Sequence, residues 1–334
     1  MRAILKAKPT VPTVKALRLF LDTSFETEGA KRQWEKISTH WSKTGGLDVC
    51  DSPKLCDFTL ITLADCHEGY ARTIRNLSKL FRYSSNRDRL FVFDTYDCPA
   101  GLFPGIYASL RAYLHSGSRH KTGCYMKTLN EFVDYRDPEL SKPELLFSFQ
   151  GNYTSRVLKD LFSFDFRRSD ILIERSAPSI MIEDMKRFAN TIWRSKFVLC
   201  PRGIGISSFR LFETMQSGRV PIIISDDWVP CCYINWNKVS LRVREQDIAK
   251  LPEICHANEN RWREMGREAR RTWVEWFSEA GLAKLIRSSL ADIVRTRRFP
   301  ESVYLLQSPF RLIANSGRTA AARSVSKALS WLKC

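Results

Sequence analysis

The segment Lys196–Trp228 restricts the possible folds more than any other part of this chain. Its sequence, KFVLCPRGIGISSFRLFETMQSGRVPIIISDDW, predicts a strand, a glycine-containing loop, a helix and a second strand in close succession. Gly218 stands just after the helix, where a residue in the left-handed conformation commonly ends one. This order of elements predicts a parallel βαβ unit whose loop lies at the carboxyl end of the first strand.

The same alternation of strands and helices is predicted in both halves of the chain, which makes the fold class α/β with parallel sheets. In the first half, strands are predicted at Ala16–Asp22, Phe58–Leu63 and Leu90–Asp94, and helices at Gly29–Lys43 and Glu68–Arg82. In the second half, strands are predicted at Glu144–Gln150, Asp170–Glu174, Phe197–Cys200 and Val220–Ser225, and helices at Arg156–Phe162, Met181–Ser195 and Ser208–Ser217.

The segment Tyr135–Pro143 contains two prolines and is the predicted domain boundary. We therefore expect one domain over residues 1–140 and a second over 141–300. A helical segment over 301–334 is expected to return to the first domain. Within it, Thr319–Leu332 has an apolar helical face that fits either packing on the protein or contact with an anionic membrane.

Composition excludes several classes of protein. The chain has 334 residues, 44% of them hydrophobic and 27% charged, which is typical of a globular protein of about two domains. No apolar run is long enough to span a bilayer, and residues 1–12 lack the apolar core of a signal peptide. The sequence therefore predicts a cytoplasmic protein, with a peripheral position at the inner face of a membrane left open.

The charge and the metal-binding residue types say less about function. The formal net charge of +17 favours anionic partners without choosing among phosphates, nucleic acid and lipid. The ten cysteines form no CxxC pair, and the five histidines form no HxH or HxxxH cluster, so no metal site is predicted. The tryptophans are dispersed rather than interleaved with arginine, so no nucleic acid partner is predicted.

The loop after the strand Phe197–Cys200 has the composition of an anion site. Gly203 and Gly205 let the backbone pass close to a ligand, and a helix that begins near Ser208 directs free N–H groups toward the loop. Arg202 and Arg210 place positive charge at both ends of the loop. Ser207 and Ser208 add two hydroxyl groups to the predicted site. Glu213 adds a carboxylate, and because it follows Arg210 by three residues it shares a helix face with that arginine.

Less specific interpretations of the same residues stay open. Ser208 could serve only as a helix N-cap, and Arg210 and Glu213 could form an exposed ion pair on the helix surface. Gly203-x-Gly205 with Asp226 about 20 residues later also imitates a dinucleotide-binding fingerprint, although Ser208 replaces the third glycine. A dinucleotide-dependent oxidoreductase is therefore an alternative function.

The extended segment KFVLCPRGIGISSFRLFETMQSGRVPIIISDDWVP resembles the signature of the exostosin-like glycosyltransferases. In that family a strand leads to a PRG loop, then S-x-R-x-x-E, then a strand with the pattern G-x-V-P-x-I-x-S-D. Glu144–Leu161 and Asn235–Leu251 resemble the segments on either side of the signature, and Arg87–Pro99 matches a first-half segment more loosely. Three positions depart from the family pattern: Arg219 replaces a cysteine, the histidine expected before Asp97 is missing, and Cys98 replaces an aromatic residue.

This resemblance implies a GT-B architecture, with two Rossmann-like domains facing each other across a cleft: an acceptor-side domain over residues 1–140 and a nucleotide-sugar domain over 141–300. It implies inverting transfer of a sugar from a nucleoside diphosphate to a hydroxyl of a glycan, a glycoconjugate or a lipid-linked acceptor, with no cofactor and no obligatory metal. UDP sugars are favoured over GDP sugars. By position, the diphosphate would be faced by Arg202, Ser207, Ser208 and Arg210, with Arg156 near the phosphates or the sugar and Glu213 at the ribose. A homologue that binds nucleotide without catalysis is the main alternative.

An inverting transferase needs a base near the acceptor hydroxyl. Asp97 is the first candidate because it follows the strand Leu90–Asp94, in a loop at the carboxyl end of the predicted sheet. Asp94 and His67 are the alternatives, both at the ends of predicted strands. Asp97 could also be only a turn residue.

Overall fold

Two parallel sheets, each flanked by helices, organise the chain in the computed structural model, which describes residues 17–125, 130–166, 168–176 and 182–304. The strands of the first sheet are β1 (Arg18–Asp22), β2 (Asp48–Val49), β3 (Phe58–Leu63), β4 (Leu90–Asp94), β5 (Gly105–Tyr107) and β6 (His120–Thr122). The strands of the second are β7 (Leu145–Gly151), β8 (Ile171–Arg175), β9 (Ser195–Pro201), β10 (Val220–Ile224) and β11 (Leu241–Val243). The predicted α/β architecture with two Rossmann-like domains is confirmed.

The helices connect and cover these strands. They are α1 (Glu28–Thr44), α2 (Tyr70–Tyr83), α3 (Arg156–Ser163), α4 (Ile182–Trp193), α5 (Phe209–Ser217), α6 (Trp236–Val239), α7 (Leu251–Ala257), α8 (Trp262–Trp276) and α9 (Glu279–Thr296). Gly218 ends α5 with a φ of 78°, and its N–H donates to the carbonyls of Met215 and Thr214, as the sequence predicted. This stop lets β10 begin two residues later.

Both sheets have the same doubly wound strand order. The first runs β2-β1-β3-β4-β5-β6 and the second runs β8-β7-β9-β10-β11, with every neighbouring pair parallel. In each sheet, the chain adds strands first on one side of its opening strand and then on the other side. In the first sheet the direction of winding therefore reverses between the neighbouring strands β1 and β3. Ligands of such sheets bind beyond the carboxyl ends of the strands at this reversal. In the second sheet the reversal lies between β7 and β9.

The apolar core joins the two domains. One cluster of buried side chains contains Phe93 of β4, Phe212 of α5 and Leu285 of α9. A second cluster, which includes Phe149 and Ile222, lies within the second domain. The domains are therefore packed against each other around a shared cluster rather than connected by a linker alone.

Helix α9 carries the chain back to the first domain. Its apolar stripe, with Leu282, Leu285, Ile286, Leu290 and Ile293, is buried, and the helix contacts α1, β5 and β6. Polar contacts fix the crossing: the indole N–H of Trp41 donates to the carbonyl of Glu279 at 2.6 Å, and Lys121 pairs with Asp292 at 2.6 Å. The return to the first domain thus begins before the predicted segment 301–334. The predicted helix Thr319–Leu332 lies outside the described residues.

Four short strands were missed at sequence level: β2, β5, β6 and β11. β5 and β6 have three residues each and lie after the loop that begins at Thr95. A strand of three residues shows too little alternation to be distinguished from a loop. Among the described residues, no helix combines the length and the apolar composition required to cross a bilayer.

A buried ion pair between Arg119 and Glu301 holds the segment after α9 against the first domain. Arg119 donates from Nη2 to Glu301 at 2.7 Å and from Nε at 3.3 Å, and both side chains are almost fully buried. Replacing Glu301 by Ala leaves the Arg119 charge without its carboxylate, so we expect the free energy of unfolding to fall by about 3 kcal/mol. Urea denaturation measures this change.

A double variant separates the loss of the pair from the loss of packing. Arg119→Met combined with Glu301→Leu removes both charges and keeps apolar volume, so it should recover most of the lost stability. A Glu301→Ala protein that unfolds at the wild-type urea concentration would show that this ion pair does not hold the segment in place.

Candidate active site

A cavity of about 530 Å³ lies at the carboxyl ends of β7 and β9, where the winding of the second sheet reverses. The first domain contributes Asp97 and Tyr125, and Asn130 contributes from the stretch between the sheets. The second domain contributes Phe149, Gln150, Asn152, Thr154, Leu158, Ser176, Asp184, Met185, Phe188, Pro201, Gly203, Ile204, Gly205, Ser207, Ser208, Phe209, Arg210 and Glu213. Six predicted donor-binding residues and the predicted base therefore line one cavity.

Arg210 is the cation of this cavity. It lies in the first turn of α5, and its Nε donates to the carbonyl of Gln150 at 2.8 Å. The guanidinium carbon is 5.1 Å from the centroid of the Phe149 ring and 5.6 Å from that of Phe188. Burial lowers the pKa of Arg210, and the charge of Glu213 opposes that change. Within the part of the chain that the structure describes, no carboxylate forms an ion pair with Arg210, so its charge is open to an anionic ligand.

Glu213 is the second charged residue on this face of α5. It is 7% exposed, and its Oε1 accepts a hydrogen bond from the N–H of Asn130 at 2.9 Å. Burial raises the pKa of Glu213. The alternative interpretation, an exposed ion pair between Arg210 and Glu213, is wrong because Glu213 is buried and each side chain bonds to backbone instead of to the other.

Two serine hydroxyls precede α5. Ser207 is 7% exposed, and its Oγ has no hydrogen-bond partner among the residues described. Ser208 is the N-cap residue by position, but its side chain accepts no bond from the first turn. The alternative that Ser208 acts only as a capping side chain is therefore not supported. Both hydroxyls line the cavity beside the free N–H groups of the helix.

The donor loop touches the first domain at Gly205. A Cβ at this position would lie 2.5 Å from Ser109 Oγ and 2.8 Å from Asp97 Oδ1, so only glycine fits. Ser109 joins the two sides, because its Oγ donates to the carbonyl of Asp97 at 3.0 Å and accepts from the N–H of Ile206 at 2.9 Å. The glycine predicted to approach a ligand also allows the two domains to meet.

Asp97 reaches the cavity from the first domain. It is exposed, and its Oδ1 accepts a hydrogen bond from the hydroxyl of Tyr125 at 2.8 Å. The Tyr125 ring in turn stacks on Phe209 of α5, with ring centroids 4.0 Å apart. The structure thus brings Asp97 to the same cavity as Arg210, as a general base would require.

The two alternative bases lie elsewhere. Asp94 is 1% exposed and accepts hydrogen bonds from the hydroxyl of Tyr70 at 2.6 Å and the N–H of Tyr96 at 3.0 Å. Desolvation raises the pKa of Asp94 to about 7. His67 is exposed, and its Nδ1 is 2.8 Å from the carbonyl of Phe25. Neither residue lines the cavity, and Asp94 instead holds the loop that carries Asp97.

Two arginines are not where the resemblance placed them. Arg202 binds Glu245 through Nε at 2.5 Å and Nη2 at 2.9 Å, and it does not line the cavity. The N–H of Asp226 also donates to Glu245, so the acidic residue of the dinucleotide fingerprint belongs to this ion-pair group. Arg156 is exposed at the start of α3, 3.9 Å from Asp160, and it is not part of the cavity wall.

Several cavity residues were missed at sequence level. Gln150 ends the predicted strand Glu144–Gln150, and Asp184 lies in the first turn of the predicted helix Met181–Ser195. A rule that polar residues at the carboxyl ends of strands face the ligand would have identified Gln150. No local signal identifies Asp184, Tyr125 or Asn130, because only tertiary packing brings them to the cavity.

Comparison with known proteins confirms the predicted resemblance for the second half of the chain. Residues 136–258 match the Exostosin GT47 domain family. Exostosin-1 homolog of Caenorhabditis elegans is 38% identical over 80 residues, which cover 23% of this chain and 21% of that protein. A probable glucuronosyltransferase of Oryza sativa subsp. japonica is 33% identical over 108 residues, which cover 31% of this chain and 24% of that protein. The chain thus spans about a quarter or less of the curated relatives it matches.

Solved structures with a related arrangement were also found. Anabaena Alr3699/HepE in complex with UDP aligns with a TM-score of 0.44 and 10% identity, covering 83% of this chain and 100% of that chain. An alpha-glucosyltransferase in complex with UDP and DNA aligns with a TM-score of 0.45 and 10% identity, covering 84% and 100%.

The pH dependence of unfolding tests the placement of Asp94. With a pKa of about 7 in the folded protein against 3.8 ordinarily, Asp94 keeps its proton more tightly when folded. Its contribution to stability is therefore fully present below about pH 4 and is lost as the pH rises through 7. The stability of Asp94→Asn relative to wild type should increase between about pH 5 and pH 8, as measured by urea denaturation.

The exposed carboxylate of Asp51 provides the control, since Asp51→Asn should follow the wild-type curve at both pH values. Parallel curves for Asp94→Asn and wild type would show that the Asp94 carboxyl titrates as it does in an unfolded chain.

Proposed function

We propose that this chain, which carries an exostosin-like GT47 domain over residues 136–258, is an inverting glycosyltransferase. It takes a sugar from a nucleoside diphosphate, with UDP favoured over GDP, and transfers it to a hydroxyl of a glycan or glycoconjugate. A metal ion is not required. The relatives named glycosyltransferases support the reaction class, and the geometry of the cavity supports the roles of individual residues.

One observation carries the proposal: the partly buried guanidinium of Arg210 has no ion-pair partner among the described residues and lies in the first turn of α5, beside the cavity. A buried cation without a carboxylate favours an anionic ligand, and the amino end of a helix adds N–H donors and partial positive charge. A diphosphate satisfies both groups. The hydroxyls of Ser207 and Ser208 extend the same set of donors.

The carboxylate of Glu213 fits the adjoining part of the nucleotide. The N–H of Asn130 occupies only its Oε1, and a carboxylate oxygen can accept from more than one donor. Ribose presents two neighbouring hydroxyl donors. Because Glu213 follows Arg210 by one turn on the same helix face, diphosphate and ribose can contact α5 in succession.

The proposed reaction proceeds by direct displacement. The acceptor hydroxyl transfers its proton to the carboxylate of Asp97, and its oxygen forms a bond to the anomeric carbon of the sugar. The bond between that carbon and the diphosphate oxygen breaks, and the diphosphate leaves with the electron pair. Arg210 and the α5 N–H groups stabilise the charge that develops on the leaving group, which is the task a metal ion would otherwise perform.

Arg210→Ala tests the diphosphate site. Loss of a charge-assisted contact should weaken binding of UDP or GDP by about 10- to 100-fold, because such hydrogen bonds each contribute about 1.5–3 kcal/mol. Isothermal titration calorimetry measures the affinities. Arg271→Ala removes the same charge from the far surface of α8, where Arg271 pairs with Glu268, and should leave the affinities unchanged. Equal affinities for wild type and Arg210→Ala would refute the assignment.

Asp97→Asn tests the base. The variant should bind the donor as wild type does and lose about 10²- to 10⁴-fold in the rate of transfer, the usual contribution of a general base. Rates are compared in buffer with EDTA, in which the wild type should keep its activity. If the variant transfers sugar at the wild-type rate, Asp97 is not the base. Wild type that binds donor but never transfers would instead identify an inactive homologue.

A further inference from the structure

Tyr125 is the hydrogen-bond partner of the proposed base. It follows β6 in the chain, its side chain is buried, and it lines the cavity. Its hydroxyl donates to Oδ1 of Asp97 at 2.8 Å, and hydrogen bonds to an ionised carboxylate are stronger than those between neutral groups. The Asp97 carboxyl thus receives a donor from outside the loop that carries it.

The second domain holds the ring of Tyr125. The ring stacks on Phe209, the first residue of α5, with centroids 4.0 Å apart and an angle of 26° between the planes. It also meets the ring of Phe212, one turn further along α5, at 6.4 Å and 79°. Because these two rings contact Tyr125 from different directions, they fix its plane and the position of its hydroxyl oxygen. Helix α5, which carries Arg210, therefore also positions the group that binds the base.

The two oxygens of the Asp97 carboxyl have different surroundings. Oδ1 accepts from Tyr125 and lies at the domain contact, where a Cβ on Gly205 would come within 2.8 Å of it. Oδ2 accepts no hydrogen bond from any residue that the structure describes, and Asp97 as a whole is exposed. Oδ2 is therefore the oxygen of this carboxyl that is left to take a proton from an acceptor.

The Tyr125 hydroxyl keeps its proton and so remains a hydrogen-bond donor. Burial raises the pKa of this hydroxyl well above its ordinary value, and the charge of Asp97 raises that pKa further. The thiol of Cys98 acts in the same direction, and hydrogen bonding with Ser109 opposes it. A donor beside a carboxylate favours the ionised form, which is the form that can accept a proton.

We propose that Tyr125 is a positioning residue of the transfer reaction: its hydroxyl orients the Asp97 carboxylate and keeps it ionised, so that Oδ2 accepts the proton. The inference rests on the proposed function and adds a residue that acts through its base. Tyr125 itself neither gains nor loses a proton. The acceptor proton passes to Oδ2 of Asp97, the acceptor oxygen bonds to the anomeric carbon, and the diphosphate leaves with the electron pair of the broken bond.

Tyr125→Phe tests the hydroxyl alone, because phenylalanine keeps the ring that stacks on Phe209. Nucleotide release to water is measured with whichever donor wild type cleaves fastest among UDP-glucose, UDP-galactose, UDP-glucuronate, UDP-N-acetylglucosamine and GDP-mannose. The kcat should fall by about 10- to 100-fold because the carboxylate loses its orientation, while KM for the donor keeps its wild-type value. The acid limb of the pH–rate profile should move up by about one pH unit, because the ionised base loses a donor.

Tyr107→Phe is the matched control. Tyr107 is also a buried tyrosine of the first domain, its hydroxyl donates to the carbonyl of Phe103 at 2.7 Å, and it does not line the cavity. Its kcat, KM and acid limb should equal those of wild type. A Tyr125→Phe protein with the wild-type acid limb would overturn the inference whether or not its kcat falls, because a role in packing alone leaves the limb in place.

Phe209→Leu tests the contribution of α5, and it gives an answer even if Tyr125→Phe does not fold. This variant keeps the Tyr125 hydroxyl and removes the ring on which Tyr125 stacks. At saturating donor it should lower kcat and raise the acid limb, both by less than Tyr125→Phe does. A Phe209→Leu protein with wild-type kcat and acid limb would contradict the positioning of Tyr125 by α5.

A double variant distinguishes a failure of the inference from a failure of the proposed function. If Tyr125 acts through the base, adding Tyr125→Phe to Asp97→Asn should lower kcat no further, and additive losses would overturn the inference alone. If Asp97→Asn has the wild-type kcat, the base assignment falls and the inference with it, while the reaction class stands. If wild type neither binds nor cleaves any of the five sugar nucleotides, the proposed function itself falls.

Discussion

The arrangement of this site depends on a partly buried positive charge, Arg210, without a paired carboxylate among the described residues. Arg210 is held by a single backbone carbonyl and two aromatic rings at the amino end of α5. Elsewhere in the described chain, the deeply buried Arg119 has a carboxylate partner in Glu301, whereas the buried Arg219 is bound by backbone carbonyls and the Ser141 hydroxyl. A guanidinium without a carboxylate costs stability where it is shielded from water, and an anion in the cavity would reduce that cost at Arg210.

The contact between domains has a direct consequence for such a reaction. Gly205 lies against Ser109 and Asp97, so the loop beside the predicted diphosphate site and the loop that carries the predicted base are in contact. The distance between leaving group and base is therefore set by backbone packing rather than by flexible side chains. Transfer reactions depend on such positioning, because small displacements of reacting groups greatly lower the rate.

Local sequence patterns predicted the second domain well and the first domain less well. The β9–α5–β10 unit was predicted nearly residue by residue, since its signals are contiguous: an apolar strand, glycines, an amphipathic helix and Gly218. The role expected of Arg202 was not supported, because Glu245, 43 residues later, binds its guanidinium. The short strands β2, β5, β6 and β11, and cavity residues such as Tyr125 and Asp184, depend on contacts between distant segments, which no short pattern reports. Asp97 was identified from its place after a strand, although its contact with Tyr125 was not foreseeable.

The central claim is that the cavity at the reversal of the second sheet holds a nucleoside diphosphate. A crystal structure of the protein grown with UDP or GDP tests it most directly. The account predicts a diphosphate at the amino end of α5, within hydrogen-bond distance of the Arg210 guanidinium and the Ser207 hydroxyl. A nucleotide bound outside this cavity, with the Arg210 guanidinium bonded only to the Gln150 carbonyl, would contradict it.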